Sequence, residues 1–246
     1  MTVHRGEADC VLSDWTCSQA GRLRGRSVVI KINYQSPPRQ ESPRTDLLTL
    51  RRLIETLLHL GCSVSLIEGA DGKLGAYLER SSLGYFIREN DVGVIDIDTL
   101  DDFTVLYRRG RRYALPNLLR QFDVRIALPC ASKRPGYLFS CNVKTFVGLL
   151  PRKLCGSADK ALSGYSRPMI HENLTETIVD TYELTRQFAS FDVYINGGNT
   201  FSEYSKIRDL GECYVSDNPV ELDLLMAREL CCPPPDYLRL LQDCRD

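Results

Sequence analysis

The chain has 246 residues, 43% hydrophobic and 26% charged, which suits one large domain with a substantial core and excludes disordered or fibrous classes. Lys and Arg total 31 against 32 Asp and Glu, a formal net charge of -1, so no bulk electrostatic term favours nucleic acid or an anionic membrane as a partner. No apolar run approaches the roughly 20 residues needed to cross a bilayer, residues 1–25 lack the apolar centre of a secretory signal, and the ten cysteines are scattered with no CxxC, which predicts a cytoplasmic chain with reduced thiols and no metal site.

Residues 1–25 read as a polar, irregular arm whose packing candidates are Cys10, Trp15 and Cys17, and residues 26–246 read as a single domain. The β-branched run over 27–33 predicts a buried strand that delivers Lys31 and Asn33 at its carboxyl end. Thr45 is placed to cap a helix over 46–60, in which Leu47, Leu50, Leu53, Ile54, Leu57 and Leu58 recur at helical spacing, with His59 on the apolar face and Gly61 as the stop. Residues 62–67 return as a strand and 68–72 form a Gly-rich loop, completing a right-handed βαβ unit. Next come a helix over 74–88, a strand over 92–97, a hairpin over 103–113 around Arg109-Gly110, a short helix over 116–122 and a strand over 124–129. A long amphipathic helix over 172–188 follows, then a strand over 191–195 with Asn196-Gly197-Gly198-Asn199 as its terminal loop. A last strand spans 213–215, Asp217 or Asn218 caps a helix over 220–230, and Pro233-Pro234-Pro235 separates a terminal helix from it. This alternation predicts an α/β fold, a mainly parallel sheet with helices on both faces in a Rossmann-like layered architecture.

In such sheets ligands bind beyond the carboxyl ends of the strands. That edge collects Lys31, Asn33, Glu68, Asp71, Asp96, Asp98, Lys133, Arg134, Asn196, Asn199, Ser216 and Asp217, although each also fits an ordinary solvated loop. The segment 144–153 sets Lys144, Arg152 and Lys153 around Gly148 and Pro151. If a helix begins near Asn142, its N–H groups, Lys144 and the Arg152 guanidinium can jointly hold a carboxylate, phosphate or sulfate, while a solvated basic surface fits the same residues. His171 follows a flexible stretch over 156–168 suited to a lid, and its imidazole can act as general acid or base. The sequence contains no GxxxxGK[ST], GxGxxG, HExxH or GxSxG motif.

Four of these segments resemble one family. They are Val29-Ile30-Lys31-Ile32-Asn33, Leu66-Ile67-Glu68-Gly69, Phe122–Pro129, and the run from Val143 through Lys144 and Gly148 to Pro151 with His171 after it. On them the chain, over about residues 26–240, resembles the domain of unknown function 362 family, DUF362. It departs from the family pattern at Thr145 (usually Asn), Arg134 (near a usual His) and Asn196 (usually Asp), and it lacks the ferredoxin-like cysteine cluster of some relatives. The family is distantly similar to nickel-pincer lactate racemases, whose His-rich nickel site has no counterpart among the three histidines here.

The resulting expectation is a biosynthetic enzyme of secondary metabolism that uses no bound cofactor and acts on a small anionic substrate by acid/base chemistry. Elimination or intramolecular substitution with loss of an anionic leaving group, as in a lyase or cyclase, would suit such a site. Lys144, His171 and Glu68 are the expected catalytic groups, with Lys31, Asn33, Lys133, Arg134, Arg152, Asn196 and Asn199 binding substrate. The alternatives are a non-catalytic or half-site subunit completed by a homo- or hetero-oligomeric partner, and an iron or iron-sulfur protein.

Overall fold

The computed structural model describes residues 3–34, 44–134, 137–155, 173–202 and 206–243. It opens with β1 (His4–Gly6), α1 (Ala8–Ser18) and the single turn α2 (Ala20–Leu23), in place of the irregular arm expected from the polarity of this stretch. Val11, Leu12 and Trp15 fall on one face of α1 and are buried with strand residues of the main core, with Ala8 packed beside them, while Cys10 and Cys17, also expected to pack, are exposed. The short apolar stripe is diluted in the sequence, yet it suffices to dock the helix.

β2 (Ser27–Ile32), α3 (Leu47–His59) and β3 (Ser63–Glu68) form the expected βαβ unit. Asp46 caps α3, accepting from the Thr49 N–H at 2.8 Å and the Thr49 hydroxyl at 2.7 Å. Thr45, the residue expected to cap, instead ties two strands together, its buried hydroxyl accepting from the Asn33 N–H at 2.8 Å and donating to the Leu128 carbonyl at 2.6 Å. His59 lies on the exposed side of α3 rather than its apolar face. The helix expected over 74–88 is split into α4 (Leu74–Glu79) and α5 (Gly84–Glu89), because Gly84 packs so closely on the Glu79 carbonyl that a Cβ there would collide with it. β4 (Gly93–Asp96) follows, and then the hairpin β5 (Phe103–Arg108) and β6 (Arg111–Pro116), a separate two-stranded sheet. Its two-residue turn has φ of 50° at Arg109 and 72° at Gly110, the left-handed pair that matches strand twist in a tight hairpin.

The chain continues through β7 (Val124–Leu128), β8 (Ser132–Arg134), β9 (Tyr137–Ser140), the one-turn α6 (Asn142–Thr145), a 3-10 turn at Phe146–Leu149, α7 (Arg152–Cys155) and α8 (Leu174–Phe188). It ends with β10 (Val193–Ser202), β11 (Lys206–Ser216), α9 (Pro219–Glu229) and α10 (Asp236–Asp243). Asn196–Asn199 is no terminal loop. It lies within β10, whose antiparallel pairing with β11 continues past it through a bulge between Gly197 and Asn199, where Gly198 supplies the positive φ.

The main sheet has the order β1-β11-β10-β7-β2-β3-β4, parallel from β10 to β4 and antiparallel at the β1-β11-β10 edge. One face carries α1, α3, α4 and α5; the other carries the hairpin, α6, α8, α9 and α10. From β2 the chain crosses one face to β3, and from β7 it crosses the opposite face to β10. The strand order therefore reverses between β2 and β7, the position beyond whose strand ends ligands bind in such sheets. Thr45 spans that point.

Replacing Trp15 with Ala removes a side chain that is 6% exposed and should lower the unfolding free energy by about 3 kcal/mol in urea titration. An unchanged midpoint would mean that α1 is not part of the cooperative unit.

Candidate functional site

The segment 141–149 crosses the carboxyl ends of β10, β7 and β2. The register sets its path: Lys31 and Tyr194 each pair with Ala127, so Lys31, Ala127 and Tyr194 form one row, and Asn196 lies two residues beyond on the same face. At the β10 end the Cys141 thiol donates to Asn196 Oδ1 at 3.0 Å. At the β2 end Gly148 lies on Lys31 and Glu68, so closely that a Cβ would sit 2.9 Å from both Lys31 Nζ and Glu68 Oε1. Partly buried Lys144 stands between those two anchors.

Lys31 and Glu68 form a sealed ion pair, Nζ to Oε2 at 3.0 Å with both side chains 1% exposed. Lys31 also donates to the Ile32 carbonyl at 2.8 Å. Glu68 accepts from the Gly69 N–H at 2.8 Å and the Tyr34 N–H at 3.4 Å, so the chain leaving β2 and the chain leaving β3 converge on one carboxylate. Two charges so deeply buried are stable only when paired and further hydrogen-bonded, as these are.

The first N–H groups of α6, expected to face a ligand anion, are taken instead by Asp223 of α9, with Asn142 N–H to Oδ1 at 2.8 Å, Val143 N–H to Oδ2 at 3.0 Å, and Asn142 Nδ2 to Oδ1 at 2.9 Å. Asp223 is fully buried, and burial pushes its carboxyl up to about 6 against the lowering effect of these hydrogen bonds. Burial and the Asp223 charge together hold the neighbouring Cys141 thiol far above its ordinary range. In the same cluster Asn142 Oδ1 and Asn196 Nδ2 are buried with no hydrogen-bond partner, an acceptor and a donor on either side of the thiol.

Arg152 also differs from its expected part in anion binding. Its Nε lies 3.4 Å from Asp98 Oδ2, its Nη2 donates to the Gly69 carbonyl at 3.2 Å, and its N–H donates to Asp98 Oδ1 at 2.7 Å. Asp98 accepts from the Asp71 N–H at 2.9 Å, and Asp96 accepts from the N–H groups of Ala70, Leu74 and Asp98. Arg152 thus fastens the loops after β3 and β4 to the start of α7. Lys153 pairs with Asp101 at 2.6 Å on the surface.

Asn33 engages Thr45 through its backbone. Lys133, on β8, lies close enough to oppose the rise that burial gives the Cys232 thiol, which turns it toward the end of α9. Arg134 and Asn199 are placed as strand residues, while their side chains, and His171 entirely, fall outside the described residues. The fold therefore gathers Lys31, Glu68, Lys144 and Asn196 under or along one crossing segment. Cys141, Asn142 and Asp223 join them unforeseen. Among the described residues no three His, Cys, Asp or Glu side chains are grouped to hold a metal, and no helix is long and apolar enough to cross a membrane.

The model of a family described as a domain of unknown function (DUF362) matches residues 28–228, well over half of the chain. No curated protein matches it.

Because the folded state raises the Asp223 carboxyl above its ordinary 3.8, it favours the protonated form, so this group's stabilising contribution is present at low pH and is lost as pH rises from near 4 through about 6. Carboxyl-carbon NMR should show Asp223 titrating near 6 in the native protein. A midpoint at or below the ordinary value would contradict its sealed environment.

Proposed function

This chain belongs to the DUF362 family, and from that footing we propose that it is a biosynthetic enzyme acting on a small anionic substrate between the ends of β2 and β7. The observation that carries this reading is the contact of Gly148 with the Lys31–Glu68 pair, which anchors the segment carrying Lys144 at the switch point of a parallel sheet, the usual ligand position in such folds. A buried ion pair adds little stability over apolar residues of the same size, so its presence at that edge favours a chemical role.

In the proposed reaction the ammonium of Lys144 holds the substrate's carboxylate, phosphate or sulfate and stabilises the charge that grows as the anion departs. Elimination removes a proton from the carbon next to the one bearing the leaving oxygen. The C–H electron pair becomes the new π bond, and the C–O pair leaves with the oxyanion. Intramolecular substitution instead forms a bond from a nucleophile within the substrate to that carbon, and the nucleophile's proton goes to the base. His171 takes the proton in either case, because Glu68, expected as a catalytic group, is closed to solvent in its pair with Lys31 and anchors the segment above it instead. Lys133, Asn33 and the Asn196 amide contribute binding.

A second reading is favoured by the internal use of Arg152 and of the α6 N–H groups, which withdraws two expected anion contacts. In that reading the chain is one subunit of a complex, and a partner supplies further cations.

Incubating the chain with a panel of carboxylates, phosphate esters and sulfate esters, followed by NMR, should reveal one class that is converted. Lys144→Ala should lower turnover by about a hundredfold or more with an unchanged circular-dichroism melting curve. Full turnover by that variant would reject the assignment. A chain that is inert alone and active only in a stable hetero-complex, as seen by size exclusion with light scattering, would select the second reading.

A further inference from the structure

We propose that the β5–β6 hairpin and α8 form a second site, for an oxyanion such as phosphate or sulfate, apart from the strand ends. The tight turn at Arg109-Gly110 folds Arg108, Arg109 and Arg111 onto one side of α8. There the fully buried Asp180 receives Arg108 Nε at 3.1 Å, Arg109 Nε at 3.4 Å and the Tyr113 hydroxyl at 2.9 Å. One helical turn earlier, Glu176 Oε2 lies 3.2 Å from Arg111 Nη2. Three guanidinium groups thus face two carboxylates and leave one positive charge over.

Arg111 Nη1 marks where that charge lacks an acceptor, since it is buried and makes no hydrogen bond. A hydrogen bond from the Arg111 side chain, together with its charge, opposes the rise of the Tyr113 hydroxyl, which burial and the Asp180 bond push up to about 12, while Nη1 itself makes no hydrogen bond. A buried donor on a charged group left without an acceptor is costly, and folded proteins rarely retain one unless water, an ion or a ligand completes it. Arg108 and Arg109 meet Asp180 only through Nε, so their paired Nη groups have no other acceptor among the described residues.

Next to this cluster, sharing Arg108 with it, is a hollow of about 370 Å³, lined by Arg108, Tyr182, Glu183, Arg186 and Gln187 among others. Arg186 there keeps Glu183 as a partner at 2.9 Å. The hollow has the volume of a small-molecule site, and forked guanidinium donors around it match the oxygens of a tetrahedral anion better than a lone ammonium would. The occupant is small, because hairpin and helix enclose the cluster on two sides.

Calorimetric titration of the full chain with inorganic phosphate, at constant ionic strength and with sulfate as a second probe, tests the site. Wild type should bind phosphate saturably, Arg111→Gln should weaken binding at the second site by about tenfold or more, as expected for losing a charge-assisted donor, and Lys144→Ala should retain this Arg111-dependent binding even where it removes an anion from the strand ends. Arg111→Lys, which keeps the charge and loses the fork, provides the check should the glutamine variant fail to fold, and it should also bind more weakly. Absence of saturable binding by wild type, wild-type affinity in a folded Arg111 variant, or loss of all saturable binding in Lys144→Ala would each overturn the proposal. The last result would place the anion at the strand ends instead.

Discussion

Everything at the carboxyl edge of the sheet is positioned by the contact between the Lys31 ammonium and the Glu68 carboxylate, 3.0 Å apart and closed to solvent. Neither charge is tolerable there alone, because the interior replaces little of the hydration that each gives up. Paired, they define a point on which three stretches of chain must agree. The backbone after β2 supplies the Tyr34 N–H, the backbone after β3 supplies the Gly69 N–H, and the 3-10 turn at Phe146–Leu149 must present a residue with no side chain. The segment that carries Lys144, one turn before Gly148, is anchored at the strand ends as a consequence.

The same device recurs around the molecule. Asp223 suspends the start of α6 from α9, Asp98 binds α7 to the loop after β3, and Asp180 docks the hairpin on α8. In each case a buried carboxylate receives N–H groups from an element distant in sequence, so short helices of four residues, too short to persist alone, are fixed by tertiary bonds rather than by their own propensity. The arrangement has a functional corollary. Since Asp223 already occupies the amino end of α6, an anion at the strand ends would meet side chains such as Lys144 and the Asn196 amide rather than helix N–H groups.

The architecture was legible because it rests on periodicity. Runs such as Ser27–Ile32 and the leucines of α3 declare strand and helix locally, and their alternation implies the parallel sheet. Sequence and structure part where local chemistry is outweighed by packing. Gly84 looks like a tolerable residue within a helix, yet it marks the close approach that splits α4 from α5. Asn196–Asn199 looks like a loop because Gly and Asn favour turns, yet β11 pairs across it and absorbs Gly198 as a bulge. Of the residues at the strand ends, Lys31 and Glu68 are visible as polar ends of apolar strands. Asp223 and Asp180 do not stand out in the same way, although each interrupts the buried stripe of its helix, where an acid needs a partner. That signal is readable. What it cannot tell is which distant N–H or guanidinium answers it, because such a partner lies far along the chain.

A double-mutant cycle on Lys31→Met and Glu68→Gln, measured by equilibrium unfolding, tests most directly whether this pair organises the edge. Each single substitution should cost about 3 kcal/mol or more, because it strands a buried charge, and the double variant should cost far less than the two together. Single losses that simply add would show that the two side chains do not depend on each other, and would contradict the pair as the anchor of the crossing segment and of Lys144.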